Sequence, residues 1–424
     1  MAITLRTTAL EHLPARVFPA IGVDGLAPVE NLALEPGIER VASPRQASIL
    51  LVAGYIPEAD RPALRRLHDQ LPHPRTSVYW GALPTPLDTA VHIDAREPPT
   101  AALRALNTEL LLGRRTSAPA LLPDLPPAPW RGKGDHGQGG EGMMGGRPYG
   151  RPMAMTDEDG RDGLPLDAST VTLGPFAPML PPGLRLQLTL QGDVIQRAEV
   201  SAPPNLDPAQ SVPWQAAGME EVAVAELERY RAAHHFRCIG RLLSVRGLGP
   251  LAARAFLMAH ELEQGTIPDI SGFKRRLRWS GLRFAISPGL GRVDRHALPG
   301  LTGPAARAAA TPEDRRSANA EYRRQGFHPV IQNGGDVRAR LAQWLAEAEQ
   351  SLGLAAAFGT TRIRFDAGVE APWGPSGHSP SATPAQDEAA NRLLVGREWS
   401  EAMTVLASFD HRTLHWIFRG TANS

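Results

Sequence analysis

The sequence predicts two folded domains of different class: an α/β domain, then a mostly helical domain that opens with a small β-sheet. Three observations carry that expectation. A strand–helix–strand–helix order fills residues 38 to 112, a Pro- and Gly-rich stretch interrupts the chain at 116 to 163, and period-two alternation followed by long helical periodicity occupies 164 to 424. With 424 residues, 42% hydrophobic and 21% charged, the chain is long enough for more than one core of ordinary size.

In the first domain, assigned to residues 1–115, Ser48–Gly54 (SILLVAG) is a short apolar run suited to a buried strand. Pro62–Leu71 then sets Ala63, Leu64, Leu67 and Leu71 at helical spacing. After the turn at His73-Pro74, Ser77–Trp80 reads as a second strand and Pro99–Leu112 as another helix. Strands alternating with helices in this way favour a parallel sheet with right-handed crossovers.

Residues 116–163 run from PALLPDLPPAPW into GKGDHGQGGEGMMGGRPYGRP and bury too little side chain to offset their ordering entropy, so they read as a linker. Gly132-x-Gly134-x-x-Gly137 matches a dinucleotide fingerprint in letters only, since no strand precedes it and no helix follows. Met143, Met144, Tyr149, Met153 and Met155 give the segment enough apolar content to pack on a neighbouring surface. In the second domain, 164–424, Leu184–Leu190 (LRLQLTL) alternates, and the turn Gln191-Gly192-Asp193 leads into Val194–Val200, a β-hairpin. Helical periodicity follows over Met219–Val245, Pro250–Gln264, Asp336–Leu352 and Ala385–Phe409.

Charge is balanced, with 45 basic and 44 acidic residues. Bulk attraction to nucleic acid is therefore excluded, and the pull toward anionic lipid is small. All the basic residues except Lys133 and Lys274 are arginine. No run approaches the roughly 18 apolar residues of a membrane span. No secretory leader, lipidation signal or basic amphipathic helix is read, so a cytoplasmic protein without direct membrane insertion is expected.

The single cysteine, Cys238, excludes an intramolecular disulfide and any cluster held by several thiolates of this chain; among apolar helix positions it reads as a small hydrophobe. His234 and His235 point about 100° apart on a helix and cannot chelate one metal together. His411 and His415, after Asp410, share a helix face but lack a second ligand pair nearby. No nucleophile elbow, P-loop or His-Glu-x-x-His is present, so hydrolase and NTPase chemistry has no support. No catalytic, cofactor-binding or metal residue is assigned, and no cofactor is expected.

Ala42-Ser43-Pro44-Arg45-Gln46-Ala47 before a strand, then Pro62–Pro74 (PALRRLHDQLPHP), resembles the small, cluster-carrying subunit shared by respiratory complex I and nickel–iron hydrogenases. The family's next strand ends Gly-Ala-Cys-Ala, matched here by Gly81-Ala82-Leu83-Pro84, and its later Cys-Pro-Pro is matched by Glu97-Pro98-Pro99. The second domain resembles the quinone-site subunit of complex I, homologous to the hydrogenase large subunit. The matching runs are Leu173-Gly174-Pro175 … Pro178 with the hairpin, Leu301–Ala308 (LTGPAARA), Gly335-Asp336-Val337, Val369–Gly374 (VEAPWG) and Ser408-Phe409-Asp410, in the family's order.

The resemblance implies a fusion of two neighbouring subunits: a flavodoxin-like parallel sheet, then a hydrogenase-large-subunit-like helical domain. It also implies lost chemistry. Leu83 and Glu97 stand where the family has cluster cysteines. Ala177 stands in place of the histidine of the Gly-Pro-x-His-Pro turn, and Ala216-Ala217-Gly218-Met219-Glu220 replaces His-Arg-Gly-Val-Glu. The expected function is thus a non-catalytic, peripheral subunit of a complex I-like assembly, docked on membrane ion-translocating, antiporter-like subunits. One alternative is a quinone-cavity component of an active oxidoreductase whose clusters come from other chains. Another is a small-molecule module reusing the emptied cavity. Arg45, Gln46, Gly81, Gly174, Pro175 and Pro178 are the candidate residues of the domain junction or cavity.

Overall fold

The computed structural model describes residues 13–22, 25–81, 86–123, 168–177, 180–201, 219, 221–293, 298, 300–364, 370–375 and 386–418. The first domain runs β1 (Ala15–Ile21), α1 (Leu26–Leu32), β2 (Ile38–Arg40), β3 (Ile49–Ala53), α2 (Arg61–Asp69), β4 (Thr76–Trp80), β5 (Val91–Ile93) and α3 (Thr100–Leu111). All strand pairs are parallel, in the order β2-β1-β3-β4-β5. That is the doubly wound order in which chain direction along the sheet reverses between β1 and β3.

Alternate residues of β3 feed two separate cores, which is why SILLVAG is apolar throughout instead of alternating. Ile49, Leu51 and Ala53 pack with Val29 and Leu32 of α1 and Leu103, Leu106 and Leu110 of α3. Leu50 and Val52 pack on the opposite face with Leu64 of α2, Leu71 and Tyr79.

Strand β1 and helix α1 lie before residue 38, where the sequence reading begins. β1 is the middle neighbour of β2 and β3, yet carries Pro19 opposite Leu51. Proline lacks a ladder N–H and normally signals an edge, so ARVFPAI does not read as a central strand. The packed edge of this domain also runs past residue 115. The Arg75 guanidinium donates to the carbonyls of Leu71 (2.9 Å), Asp69 (3.0 Å) and Ala118 (3.3 Å). The Asp69 carboxylate accepts from the backbone N–H groups of Leu121 and Leu122, both at 2.9 Å. Residues 118–122 are thereby fastened to the α/β domain. The glycine-rich fingerprint at 132–137 and the methionines from Met143 onward lie outside the described residues.

The second domain opens with an antiparallel sheet of β6 (Ala168–Leu173), β7 (Arg185–Gln191) and β8 (Val194–Ser201), the last two being the expected hairpin. β9 (Glu221–Ala223) then leads directly into α4 (Val224–Val245), followed by α5 (Gly249–Glu263), α6 (Ile270–Trp279), α7 (Leu282–Ala285), α8 (Gly303–Arg307), α9 (Ala320–Arg324) and α10 (Val337–Phe358). β10 (Arg362–Arg364) pairs with β9, and β11 (Glu370–Ala371) with β12 (Gly374–Pro375). The chain closes with α11 (Gln386–Leu394), α12 (Trp399–Ala407) and α13 (His411–Phe418).

Three details depart from the periodicity reading, the first being that the helix expected over Met219–Val245 starts only at Val224, after strand β9. The helix expected over Ala385–Phe409 is divided in two by Val395–Glu398, with Gly396 at φ +75°. A basic amphipathic helix, which the sequence reading did not find, is present as α6, with Phe273 and Leu277 buried and Arg275, Arg276 and Arg278 exposed. Its apolar positions Ile270, Phe273 and Leu277 stand at helical spacing, so the signal for this helix is present in the sequence.

Candidate functional site

In doubly wound sheets, ligands enter the crevice at the carboxyl ends of the strands where direction reverses. Here that crevice lies beyond Ile21 and Ala53, and the second domain occupies it. The turn after β6 crosses the end of β1, and Phe176 packs against the apolar cluster of Phe18, Ala20, Leu50, Val52 and Tyr79 in the first domain. The space left is lined by Ile21, Pro175, Phe176, Ala177, Leu180, Pro182 and His411. Its volume is about 10 Å³, the room of one water molecule and far below the roughly 300 Å³ at which drug-sized sites begin.

Gly174 makes the turn possible. Its φ is +100°, and a Cβ would stand 2.1 Å from the Leu184 carbonyl oxygen, so no other residue fits without moving the hairpin.

Charge completes the seal. Glu30 of α1, buried in the junction, accepts from Arg237 Nη1 (3.0 Å) and Arg241 Nη1 (2.9 Å) of α4. Arg237 also donates to Asn31 Oδ1 at 2.8 Å and Glu263 Oε1 at 2.7 Å. Asp60, buried before α2, is bonded by Arg185 of β7; burial raises its carboxyl and Arg185 opposes that rise. At both contacts the first domain supplies the acid and the second the base.

The predicted residues divide by position. Gly174 and Pro175 are in the junction. Gly81 is buried at the carboxyl end of β4, donating to Ile93 O (3.1 Å) and accepting from His92 Nε2 (2.9 Å). Arg45 and Gln46 are exposed in a 3₁₀ turn capped by Ser43, at the amino end of β3. A five-residue strand of about 16 Å separates them from the crevice. The structure does not bring them to it. Pro178, Leu83 and residues 216–218 lie outside the described residues, while Glu97 is exposed and its carbonyl accepts from Trp80 Nε1 at 2.9 Å.

Behind the junction, His234 faces Trp373 (ring centroids 5.5 Å apart) and comes within 3.6 Å of Cys238 Sγ. Burial first, then His235 and the nearby arginines, hold its imidazole well below the usual range. Burial pushes the Cys238 thiol up to about 12, although Arg241 Nη2 lies 3.0 Å from the sulfur. A thiol held protonated is a poor nucleophile. Among the described residues, no group of three or more His, Cys, Asp and Glu side chains could hold a metal ion.

His235 turns the other way, into a buried ionic network that sequence reasoning missed. Glu347 accepts from Arg307 through Nε (2.7 Å) and Nη2 (3.0 Å), from Gln343 (2.6 Å), and faces His235 Nε2 at 3.2 Å. Asp314 lies 3.2 Å from Arg307 Nη1 and is paired with Arg316 through Nε (3.0 Å) and Nη2 (2.8 Å). Glu228 accepts from Arg316 (3.2 Å), Arg231 (3.4 Å) and Tyr322 Oη (2.5 Å). Three arginines thus balance three carboxylates, and those arginines hold the carboxylates below their ordinary range against the opposing effect of burial.

Two motifs of the second domain meet in this network, while a third meets Arg340 apart from it. LTGPAARA contributes Arg307; VEAPWG contributes the Ala371 carbonyl, which accepts from Arg231 at 2.9 Å. Gly303 packs so closely on the Trp373 carbonyl that a Cβ would lie 2.1 Å from its oxygen. Arg340 holds Ser408 Oγ at 2.7 Å and sits 4.0 Å from the centroid of the Phe409 ring. No family model matches the chain.

Proposed function

We propose that the protein is a non-catalytic scaffold: a fused, peripheral subunit of a complex I-like assembly that docks on membrane ion-translocating subunits. The observation that carries the reading is the occupied crevice. At the place where this sheet topology takes a ligand, Phe176 of the chain's own second domain packs against the first domain's core. Buried acid–base contacts hold the two domains together around it. Fusion adds to this, because a tether raises the effective concentration of the second domain to about the millimolar range.

The same observation counts against a quinone cavity or a reused small-molecule site at this junction, where the pocket among the described residues has a volume of about 10 Å³. The charges of the buried network are paired with one another, which suits a rigid interior better than turnover.

Purification from native membranes under mild detergent, with identification of co-purifying chains, tests the proposal. Membrane antiporter-like subunits at constant stoichiometry are expected. A chain recovered alone from the soluble fraction, or one that binds a quinone analogue at the junction, would overturn it.

A further inference from the structure

Helices α6 and α7 form an outer edge of the second domain that combines basic side chains with exposed aromatic rings. Over Ile270–Val293 the chain carries Lys274, Arg275, Arg276, Arg278, Arg283 and Arg292 and no acidic residue, in a protein whose formal charge is +1. The segment is firmly seated. Phe273, Leu277, Leu282 and Ile286 are buried in the main core, and Phe273 meets Phe236 edge to face at 5.9 Å. Arg246 and Arg338 hold the carbonyls of Ala285 and Ile286 from beneath.

What this edge presents outward is unusual. Trp279 is 83% exposed and Phe284 is 88% exposed, and Ile267 in the preceding loop is 66% exposed. Arg275, Arg276, Arg278 and Arg283 are exposed beside them, and no ion pair to these four is found among the described residues. Lys274 alone is tied down, to Glu349 at 2.8 Å.

We infer that this edge is an interfacial membrane contact that binds anionic phospholipid. Trp and Phe are side chains that lie well at the headgroup level, and Arg pairs with lipid phosphate through its planar fork. Two rings this exposed protrude from the surface and do not line a groove, so they suit insertion into a soft interface better than stacking along a nucleic-acid strand. Balanced overall charge does not weaken the contact, because the field of a cluster decays within a Debye length of about 8–10 Å and only nearby charges count. The inference goes beyond the scaffold reading and needs no protein partner.

The test is cosedimentation of the full chain with protein-free vesicles of phosphatidylcholine alone or mixed equally with phosphatidylglycerol. Binding is expected to the anionic vesicles, weakening as salt is raised. Replacing Arg275, Arg278 and Arg283 by Gln should weaken it roughly fivefold per arginine. The pair Trp279→Ala and Phe284→Ala should weaken it by about tenfold or more. These side chains are exposed, so an unchanged thermal unfolding curve confirms that each variant folds. Absence of binding to anionic vesicles overturns the inference, as does binding indifferent to both sets of substitutions. Capture of polyuridylate or polyglutamate in place of vesicles assigns the edge to a nucleic acid or an acidic protein, and also overturns it. Because the vesicles contain no protein, failure here leaves the partner-docking proposal standing.

Discussion

The junction and the α6–α7 edge are built from the same two ingredients, arginines and aromatic rings, in opposite states. At the junction Arg185, Arg237 and Arg241 are each matched to a buried carboxylate, and Phe176 is packed into a neighbouring core. On the edge Arg275, Arg276, Arg278 and Arg283 face water beside two exposed rings. A buried guanidinium is tolerated only when paired and hydrogen-bonded, whereas an exposed one loses little by standing alone. The sealed set therefore contributes to architecture, and the open set is available to something outside the chain.

Breaking a sealed pair should cost most where burial is complete. Glu347→Ala removes the carboxylate that holds Arg307 through Nε and Nη2 and leaves it Asp314 on Nη1, and removing one partner of such a buried pair costs about 3–5 kcal/mol. Chemical denaturation reads this; the double variant Arg307→Met with Glu347→Leu should recover much of the loss. A single variant as stable as the parent would mean the network is not the structural centre described. Next is Glu30→Ala, which leaves Arg237 with Glu263 and Asn31 but deprives Arg241 of its carboxylate. A loss of about 2–3 kcal/mol is expected in chemical denaturation. Phe176→Ala, at a partly buried site, should cost about 2 kcal/mol, less than full burial would give. It should also admit a small apolar probe such as xenon at the junction.

Acid sharpens the contrast further. His234 and His235 are held below their ordinary range, chiefly by burial, so the folded protein leaves them neutral where the unfolded chain protonates them, below about pH 6.5. The unfolded state then binds more protons, and stability rises with pH through that window. Moving from pH 7.5 to 5.5 should lower the unfolding free energy by at most about 1.4 kcal/mol per pH unit for each histidine. His234→Leu should flatten the slope; an unchanged slope would place the acid sensitivity elsewhere. The smallest effect belongs to the open edge. Arg275→Gln and Trp279→Ala should shift stability by less than about 0.5 kcal/mol, as exposed positions do. A larger loss would show that the edge is already occupied by the chain's own residues.

What the sequence determined by itself was local and periodic. The β3 run, the hairpin, and the helices at Pro62–Leu71 and Pro99–Leu112 were legible because a buried parallel strand is apolar throughout and an amphipathic helix repeats every 3.6 residues. The single thiol and the divergence of His234 from His235 also followed from counting and helix geometry. β1 was not legible because Pro19 speaks against a central strand, and only pairing on both sides overrides that preference.

The candidate site was legible in half. Gly174 and Pro175 could be singled out as a turn, but that Phe176 packs against the first domain's core depends on the second domain lying across the end of β1. Arg45 and Gln46 looked equally eligible, yet a strand's length keeps them at the other end of the sheet. The buried network was invisible for the same reason. Glu228 and Arg231 come from α4, Arg307 from α8, Asp314 and Arg316 from one 3₁₀ turn and Glu347 from α10, and in sequence each is an ordinary charged residue. Tertiary packing alone excludes water from them together, and exclusion of water turns six charges into one obligatory network.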